Sequence, residues 1–357
     1  MENHLPLRIS LPFVGGIALA AALPAPAVPM AVAALVGVIA CMLGLVAGRR
    51  ADKPLITAML FFLGVFCFAS RTADILGGGS VLEGLVPHFR LLSEWLGRVI
   101  DQAGFDCAKT APLLRALMTG DRSGLDRGTV AAFRSSGASH LLALSGLHLG
   151  IVAMCVRFLL MLLGKSRPAG LVRSALLVLF CLVYTLACGA SLSLVRAFLF
   201  VVLGQVAAHC PHRRSTPADR LCIAATVQLS FDPRAIGSLA FQLSYLAMIG
   251  IVFVAPRLEA WYPSTALSYR FDPIRAIWKA TALALSCQLT TAPLVWLRFG
   301  SLPHYFLLTN LLAMPVCELL LPVAILTLLL GSPSLLVSLT DRLSGILIRI
   351  LTIISGL

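Results

Sequence analysis

Runs of about twenty apolar residues recur along this chain, and they constrain its fold more than any other feature, because a helix of that length crosses the hydrocarbon core of a bilayer. Candidate runs lie near 7–23, 27–47, 55–70, 140–163, 171–188, 192–209, 219–231, 236–255, 277–297, 303–330 and 333–357. The first two form a hairpin around Pro24, Pro26 and Pro29, the third and seventh are short, and Pro315 and Pro322 interrupt the tenth. The expected fold is all-α: a polytopic membrane protein with about eight to eleven transmembrane helices plus interfacial amphipathic helices.

Composition agrees. Of 357 residues, 59% are hydrophobic and 12% charged, and the mean hydropathy is +0.95. That leaves too little polar surface for a water-soluble globule of this length. No small-residue cleavage site followed by a soluble domain appears, so Met1–Ala22 reads as retained. The net charge of +13 would suggest nucleic acid in a soluble protein, but in a membrane protein much of it sets orientation. Arg49, Arg50 and Lys53 share one loop; Lys165, Arg167 and Arg173, then Arg213, Arg214 and Arg220, then Arg257, Arg270, Arg275 and Lys279 fall on the same side. The N-terminus is then cytoplasmic and Arg71–Ser139 external. The ten cysteines sit mostly inside apolar runs as small hydrophobes, with no disulfide or zinc spacing. His209, Cys210 and His212, followed by two arginines, read as a solvated loop and not a metal cluster.

Three segments result: N-terminal transmembrane helices (1–70), an external amphipathic and interfacial segment (71–139) and a polytopic channel domain (140–357). In the external segment Leu85, Phe89, Leu92, Leu96, Val99 and Ile100 roughly share one helical face, as in a helix lying on a membrane. Gly77–Gly79 form a flexible joint before it. Pro112 opens the next helix, which stops at Thr119–Gly120; Asp126 caps another; Gly137 breaks that one; Ser139 caps a long apolar helix. Residues 256–276, with Trp261, Tyr262, Tyr269 and nearby Trp278, suit the cytoplasmic headgroup region.

Four blocks then stand in order: LRALMTGDRSGL with SHLLALSGLHLGIV, GASLSLVRAFLF, FDPRAIGSLAFQLSYLAMIGI and TAPLVWLRFGSLPHYFLLTNLLAMPV. Together they resemble the ComEC family of DNA internalisation competence proteins, specifically its polytopic competence domain, over most of Leu114–Val316. The resemblance implies a bacterial inner-membrane channel that takes single-stranded DNA into the cytoplasm during natural transformation. It implies as partners single-stranded DNA and membrane lipids, an external DNA receptor, a separate cytoplasmic motor and nuclease, and a homo-oligomer. Many family members carry an external oligonucleotide-binding β-domain and a C-terminal metallo-β-lactamase-like domain. Arg71–Ala111 is too short and too helical in pattern for the first, and no HxHxDH-type motif marks the second, so the chain reads as a fragment or a reduced member.

A strand crossing lipid needs a wet path that holds phosphate weakly at each point. Channel candidates are Arg122, Arg134, His140, Ser145, His148, Arg196, Gln242 and Asn310, with Gly120, Asp121, Gly146 and Gly150 as the structural motif. Arg196, a few residues into an apolar helix, is either a phosphate contact or a snorkelling arginine. Ser145 and His148 are i,i+3 neighbours that either line the path or bond between helices; Gly146 and Gly150 form a stripe open to close helix approach. Asp121 and Arg122 either pair with each other or organise the mouth. Gln205, Gln228, Gln242, Gln288 and Asn310 are candidate seam residues or interhelical bonds. Phe198, Phe200, Phe241 and Tyr245 suit packing better than base stacking. Glu318, beside the Pro315 break, would hinder DNA but suits proton or cation coupling.

No Walker A loop is present, so no nucleotide hydrolysis is expected, and no cofactor or metal is implied. Two other readings stay open. A permease for a small solute or lipid needs the same polar seam. An intramembrane hydrolase would use Ser145 and His148, but no orienting third group or oxyanion pair is visible. The chain is therefore read as a transporter and not an enzyme.

Overall fold

The computed structural model describes residues 5–47, 53–73, 81–164, 166–209, 216–262 and 272–356. Arg49, Arg50, Gly77–Gly79, Lys165, Cys210, His212, Arg213, Arg214, Tyr269 and Arg270 lie outside the described residues. Among those described, every regular element is helical. In chain order they are α1 (Leu5–Ala22), α2 (Ala27–Ala47), α3 (Lys53–Thr72), α4 (Val81–Asp101), α5 (Thr110–Thr119), α6 (Arg127–Ser135), α7 (Ser139–Leu142), α8 (Gly146–Leu160), α9 (Arg167–Ala187), α10 (Leu192–His209), α11 (Pro217–Phe231), α12 (Leu239–Ile249), α13 (Ala255–Glu259), α14 (Pro273–Phe299), α15 (Phe306–Leu329) and α16 (Ser334–Ser355). A π-helical turn, Gly250–Val254, joins α12 to α13.

Eight helices among the described residues are long and apolar enough to cross a membrane: Ala27–Leu45, Lys53–Thr72, Gly146–Leu163, Ala169–Ala187, Leu192–His209, Leu239–Glu259, Pro273–Phe299 and Phe306–Leu329. The protein is thus a polytopic membrane protein at the lower end of the expected range. Three expected runs drop out for physical reasons. The apolar stretch of α1, Pro6–Ala22, is shorter than the eight spans. α11 has 15 residues, too few to span. α16 carries Asp341, Arg342 and Arg349 and is two-faced: Val337, Leu343, Leu347, Leu351 and Ile354 are buried while Leu335 and Ile353 are exposed.

The chain forms two compact units, Met1–Gly84 with Leu199–Tyr245, and Leu85–Phe198 with Leu246–Leu357. In the first, α1 and α3 touch backbone to backbone. A Cβ at Gly16 would overlap the Phe61 carbonyl, and one at Gly64 would overlap the Phe13 carbonyl, so only glycine permits this crossing. Thr226 of α11 donates to Ser10 Oγ at 2.7 Å, and Tyr245 donates to the buried Gln228 at 3.0 Å. Gln228 therefore spends its carbonyl on a helix–helix bond, and Tyr245 stacks on Phe241 with centroids 4.3 Å apart.

In the second unit the short helices are anchored by a shared core. Ile100 of α4, Leu113, Leu114 and Leu117 of α5, Phe133 of α6 and Leu141 of α7 join Cys317 and Leu320 of α15 and Leu343, Leu347 and Leu351 of α16. α4 buries Ile100 but leaves Leu85, Leu91, Leu92 and Trp95 exposed, so only the C-terminal end of the expected apolar face is covered and the rest lies open, as on an interfacial helix. Tyr262 donates to Asp272 at 2.8 Å, and Asp272 caps α14 by accepting from the Ile274 and Arg275 amides.

Candidate functional site

The polar run from Arg115 to His148 folds as a succession of capped turns in the second unit. α5 ends at Gly120, whose φ of +82° suits a residue without a Cβ; a Cβ there would also lie 2.8 Å from Leu144 Cδ1. Asp126 caps α6, accepting from the Thr129 amide at 3.1 Å. Gly137, at φ +83°, turns the chain after α6 against Pro303, and Thr309 of α15 donates to the Ser136 carbonyl at 2.7 Å.

Asp121 and Arg122 do not pair with each other. The Asp121 carboxylate accepts from Arg115 Nη2 at 2.5 Å and from the Ser123 amide at 3.0 Å, while Arg115 Nη1 reaches Asp101 at 2.9 Å. These contacts, Ser123 foremost, hold the Asp121 carboxyl below the usual carboxylate range, and Asp121 foremost raises the Arg115 guanidinium. Arg122 points the other way. Its Nε and Nη2 both donate to the Leu142 carbonyl, at 3.1 and 2.8 Å.

That fork corrects the expected long helix from Ser139. In a continuous helix the Leu142 carbonyl would accept from the Gly146 amide four residues on. Here Arg122 occupies it, residues 143–145 are extended, and a new helix starts at Gly146. Ser139 supplies no cap; Ser145 is the cap instead. His148 Nδ1 lies 3.3 Å from the Ser145 amide and 3.0 Å from its hydroxyl. A backbone N–H can only donate, so Nδ1 accepts and the ring proton sits on Nε2. Nε2 is buried and has no partner among the described residues. Ser145 and His148 thus close a helix end and do not share a helix face.

α10 docks on this restart. Arg196 is 8% exposed, and its Nη2 lies 3.3 Å from where a Cβ on Gly146 would be, with Ala197 Cβ at 3.4 Å. Its charge faces protein and does not snorkel. Gly150 has nothing within 4 Å of its Cβ position, so close helix approach is confined to Gly146. α9 seals the other side, where Tyr184 Oη and Cys188 Sγ both reach the Met118 carbonyl, at 2.7 and 3.5 Å.

The remaining candidates are distributed. His140 is exposed, with Nδ1 3.2 Å from the Gly137 carbonyl. Arg134 is exposed in the last turn of α6. Asn310 follows Thr309 in α15 with its Oδ1 buried and unpartnered among the described residues. Gln242, in the first unit, donates to the Ile236 carbonyl at 2.7 Å. The structure therefore gathers Gly120, Asp121, Arg122, Ser145, Gly146 and His148 around one break, with Arg196 laid on it. Arg115, Tyr184 and Thr309 escaped the sequence reading; each bonds across many residues, and only the position of Arg115 inside the polar block hinted at its part.

Comparison with known proteins places this break inside a recognised region. Residues 117–357 match the family described as Competence protein. Among curated proteins, the chain is 28% identical over 211 residues to ComE operon protein 3 of Bacillus subtilis, covering 59% of this chain and 24% of that protein. It is 30% identical over 247 residues to Competence protein ComA of Neisseria gonorrhoeae, covering 68% and 33%, and 27% identical over 223 residues to Recombination protein 2 of Haemophilus influenzae, covering 58% and 27%. The chain thus spans a quarter to a third of the length of these relatives. No solved structure matches it. By the family match over residues 117–357, the chain belongs to the competence protein family.

Proposed function

We propose that this chain is the membrane channel through which single-stranded DNA enters the cytoplasm during natural transformation. The family match carries the reading: it covers the capped break at 143–145 and six of the eight spans, so the region shared with competence proteins is the membrane bundle itself. The bacterial inner membrane follows from the family reading; a cytoplasmic N-terminus, from the arginine and lysine loop bias, requires the shorter apolar helix α1 to cross as well. Phosphate contacts fall to the exposed Arg134 and His140, while the buried Arg196 and His148 shape the break behind them. Energy comes from outside the polypeptide's own chemistry, from a separate cytoplasmic motor or a gradient; receptor and nuclease are separate partners, and copies of the chain associate.

Deletion of the gene tests this reading. Uptake of free DNA into the cytoplasm is expected to vanish while DNA still binds the cell surface. Normal transformation in the deletion strain would remove the proposal, and lost solute transport with normal transformation would establish the permease reading in its place.

A further inference from the structure

The depth of the polar block can be read along α15. Near the start of that helix Thr309 donates to the Ser136 carbonyl at 2.7 Å. Near its end Thr327 and Thr340 of α16 meet hydroxyl to hydroxyl at 3.0 Å, and the adjacent Asp341 accepts from the Asp106 amide at 2.9 Å. Thr309 and Thr327 are eighteen residues apart on one helix, which is about 27 Å. The hydrocarbon core is about 30 Å thick and α15 is a span, so the chain from Asp106 to Ser136 runs through most of the membrane's depth. α16 covers the same depth: it has 22 residues, folds back on α15 and buries Leu343, Leu347 and Leu351 beside Cys317 and Leu320.

Charged side chains stand exposed at this depth. On α6, Arg127 and Arg134 are seven residues apart and so share one face, about 10 Å from each other along the axis. α16, which packs on α6, repeats the spacing with Arg342 and Arg349. These two stand eight and six residues from the ends of α16, about 12 and 9 Å in. All four arginines are exposed, and none has an ion pair or side-chain hydrogen bond among the described residues. The exposed acids on α5, α6, α15, α16 and the loops before α5 and α6 are Asp106, Asp126, whose carboxylate caps α6, and Glu318 of α15, a helix that also exposes Leu308, Leu312, Leu319 and Leu326. Lipid disfavours an exposed guanidinium in mid-bilayer, and four of them require water. Arg342 and Arg349 are also what denies α16 the composition of a lipid-facing span.

We propose that the arginine-bearing faces of α6 and α16 form a wall of the DNA path inside the membrane, with Arg127, Arg134, Arg342 and Arg349 as its phosphate contacts. The inference rests on reading the chain as a DNA channel and gives that channel a lining. It replaces a wholly external 71–139 with a segment that enters the bilayer from Asp106 to Ser136. Non-helical backbone such as the turn 120–126 is tolerated at that depth where it faces protein or water. Both hold here: Asp121 and Arg122 bond to protein, and Ser123 and Gly124 are exposed. The basic charge of the wall complements a polyanion. Cations about 10 Å apart are sparser than one per nucleotide, so each phosphate is held and released singly, as conduction requires.

The test uses the purified full-length protein in phosphatidylcholine liposomes and a charged methanethiosulfonate, which reacts with thiols where water ionises them. Mass spectrometry assigns each adduct, so the native cysteines do not confound the reading. Arg134→Cys, Arg342→Cys and Arg349→Cys are expected to react, while Leu312→Cys and Leu326→Cys, exposed at the same depth on α15, stay unmodified. In cells, Arg342→Gln combined with Arg349→Gln is expected to lower DNA uptake about tenfold with unchanged protein abundance and surface-bound DNA, and the corresponding pair of lysine substitutions to retain most of it. Unmodified Arg342→Cys and Arg349→Cys, or full uptake by the double glutamine variant, overturns the wall while leaving the channel reading intact. Labelling that is blocked in phosphatidylglycerol liposomes, together with full uptake by the double variant, gives the arginines to lipid headgroups instead of DNA. Normal uptake in the deletion strain overturns the channel, and the thiol reaction then decides only whether this face is wet.

Discussion

Replacing Arg122 separates two roles that a cation at a channel mouth can play. The fork from Arg122 to the Leu142 carbonyl, at 3.1 and 2.8 Å, keeps that oxygen from the Gly146 amide and so holds the chain break before α8. A hydrogen bond from a charged group contributes about 1.5–3 kcal/mol. Both arms share one acceptor and the side chain is exposed, so the lower end applies, about 1.5 kcal/mol. Arg122→Ala is expected to lower the Tm of the detergent-solubilised protein by about 3 °C. The decisive variant is Arg122→Lys, which keeps the charge but cannot fork. If Arg122 is a hinge pin, Lys loses most of the stability that Ala loses, and DNA uptake falls with both. If Arg122 serves mainly as a phosphate contact, Lys retains both uptake and Tm. Thermal unfolding followed by fluorescence, beside transformation frequency at matched protein abundance, reads both quantities. A wild-type Tm for Arg122→Ala would refute the pinning argument outright.

Other positions give sharp expectations. Gly64→Ala drives a methyl into the Phe13 carbonyl, and Gly16→Ala one into that of Phe61. Either is expected to destabilise the protein by about 1–3 kcal/mol, as overpacking does, whereas Gly150→Ala, which meets nothing, leaves Tm unchanged. Ser145→Ala removes the hydroxyl that caps α8 and is expected to cost about 1 kcal/mol; Ser145→Thr recovers most of it. A fluorophosphonate probe is expected to leave Ser145 unmodified, and covalent labelling there would restore the hydrolase reading. Asp121 titrates below its unfolded value of about 3.9, so its stabilisation is complete at neutral pH and is lost as pH falls through the depressed value. Asp121→Asn should flatten the acid side of the stability profile; an unchanged acid limb would show that the contacts with Ser123 and Arg115 contribute nothing.

The amino-acid sequence by itself determined the class of solvent and the local stops. Apolar runs of span length dictate membrane helices because unpaired backbone groups are intolerable in lipid. Gly120, Asp126 and Gly137 act where the sequence reading put them, since a left-handed cap, an N-cap and a turn depend only on a residue and its near neighbours. The break at 143–145 was not legible, because SHLLALSGLHLG has unbroken helical periodicity and its interruption depends on Arg122, twenty residues away. The same holds for the Arg115 link between Asp101 and Asp121, the Tyr184 bond to Met118 and the seating of Arg196 on Gly146. Arg122 read as a candidate phosphate contact, yet the fold sets it on the Leu142 carbonyl, and Arg115, which the sequence reading passed over, bridges Asp101 and Asp121. Glu318 shows the reverse: its oddity is plain from sequence, but only the tertiary structure leaves it exposed on an apolar face. Local chemistry chose the helices and their ends; long-range contacts chose which polar groups were left for a ligand.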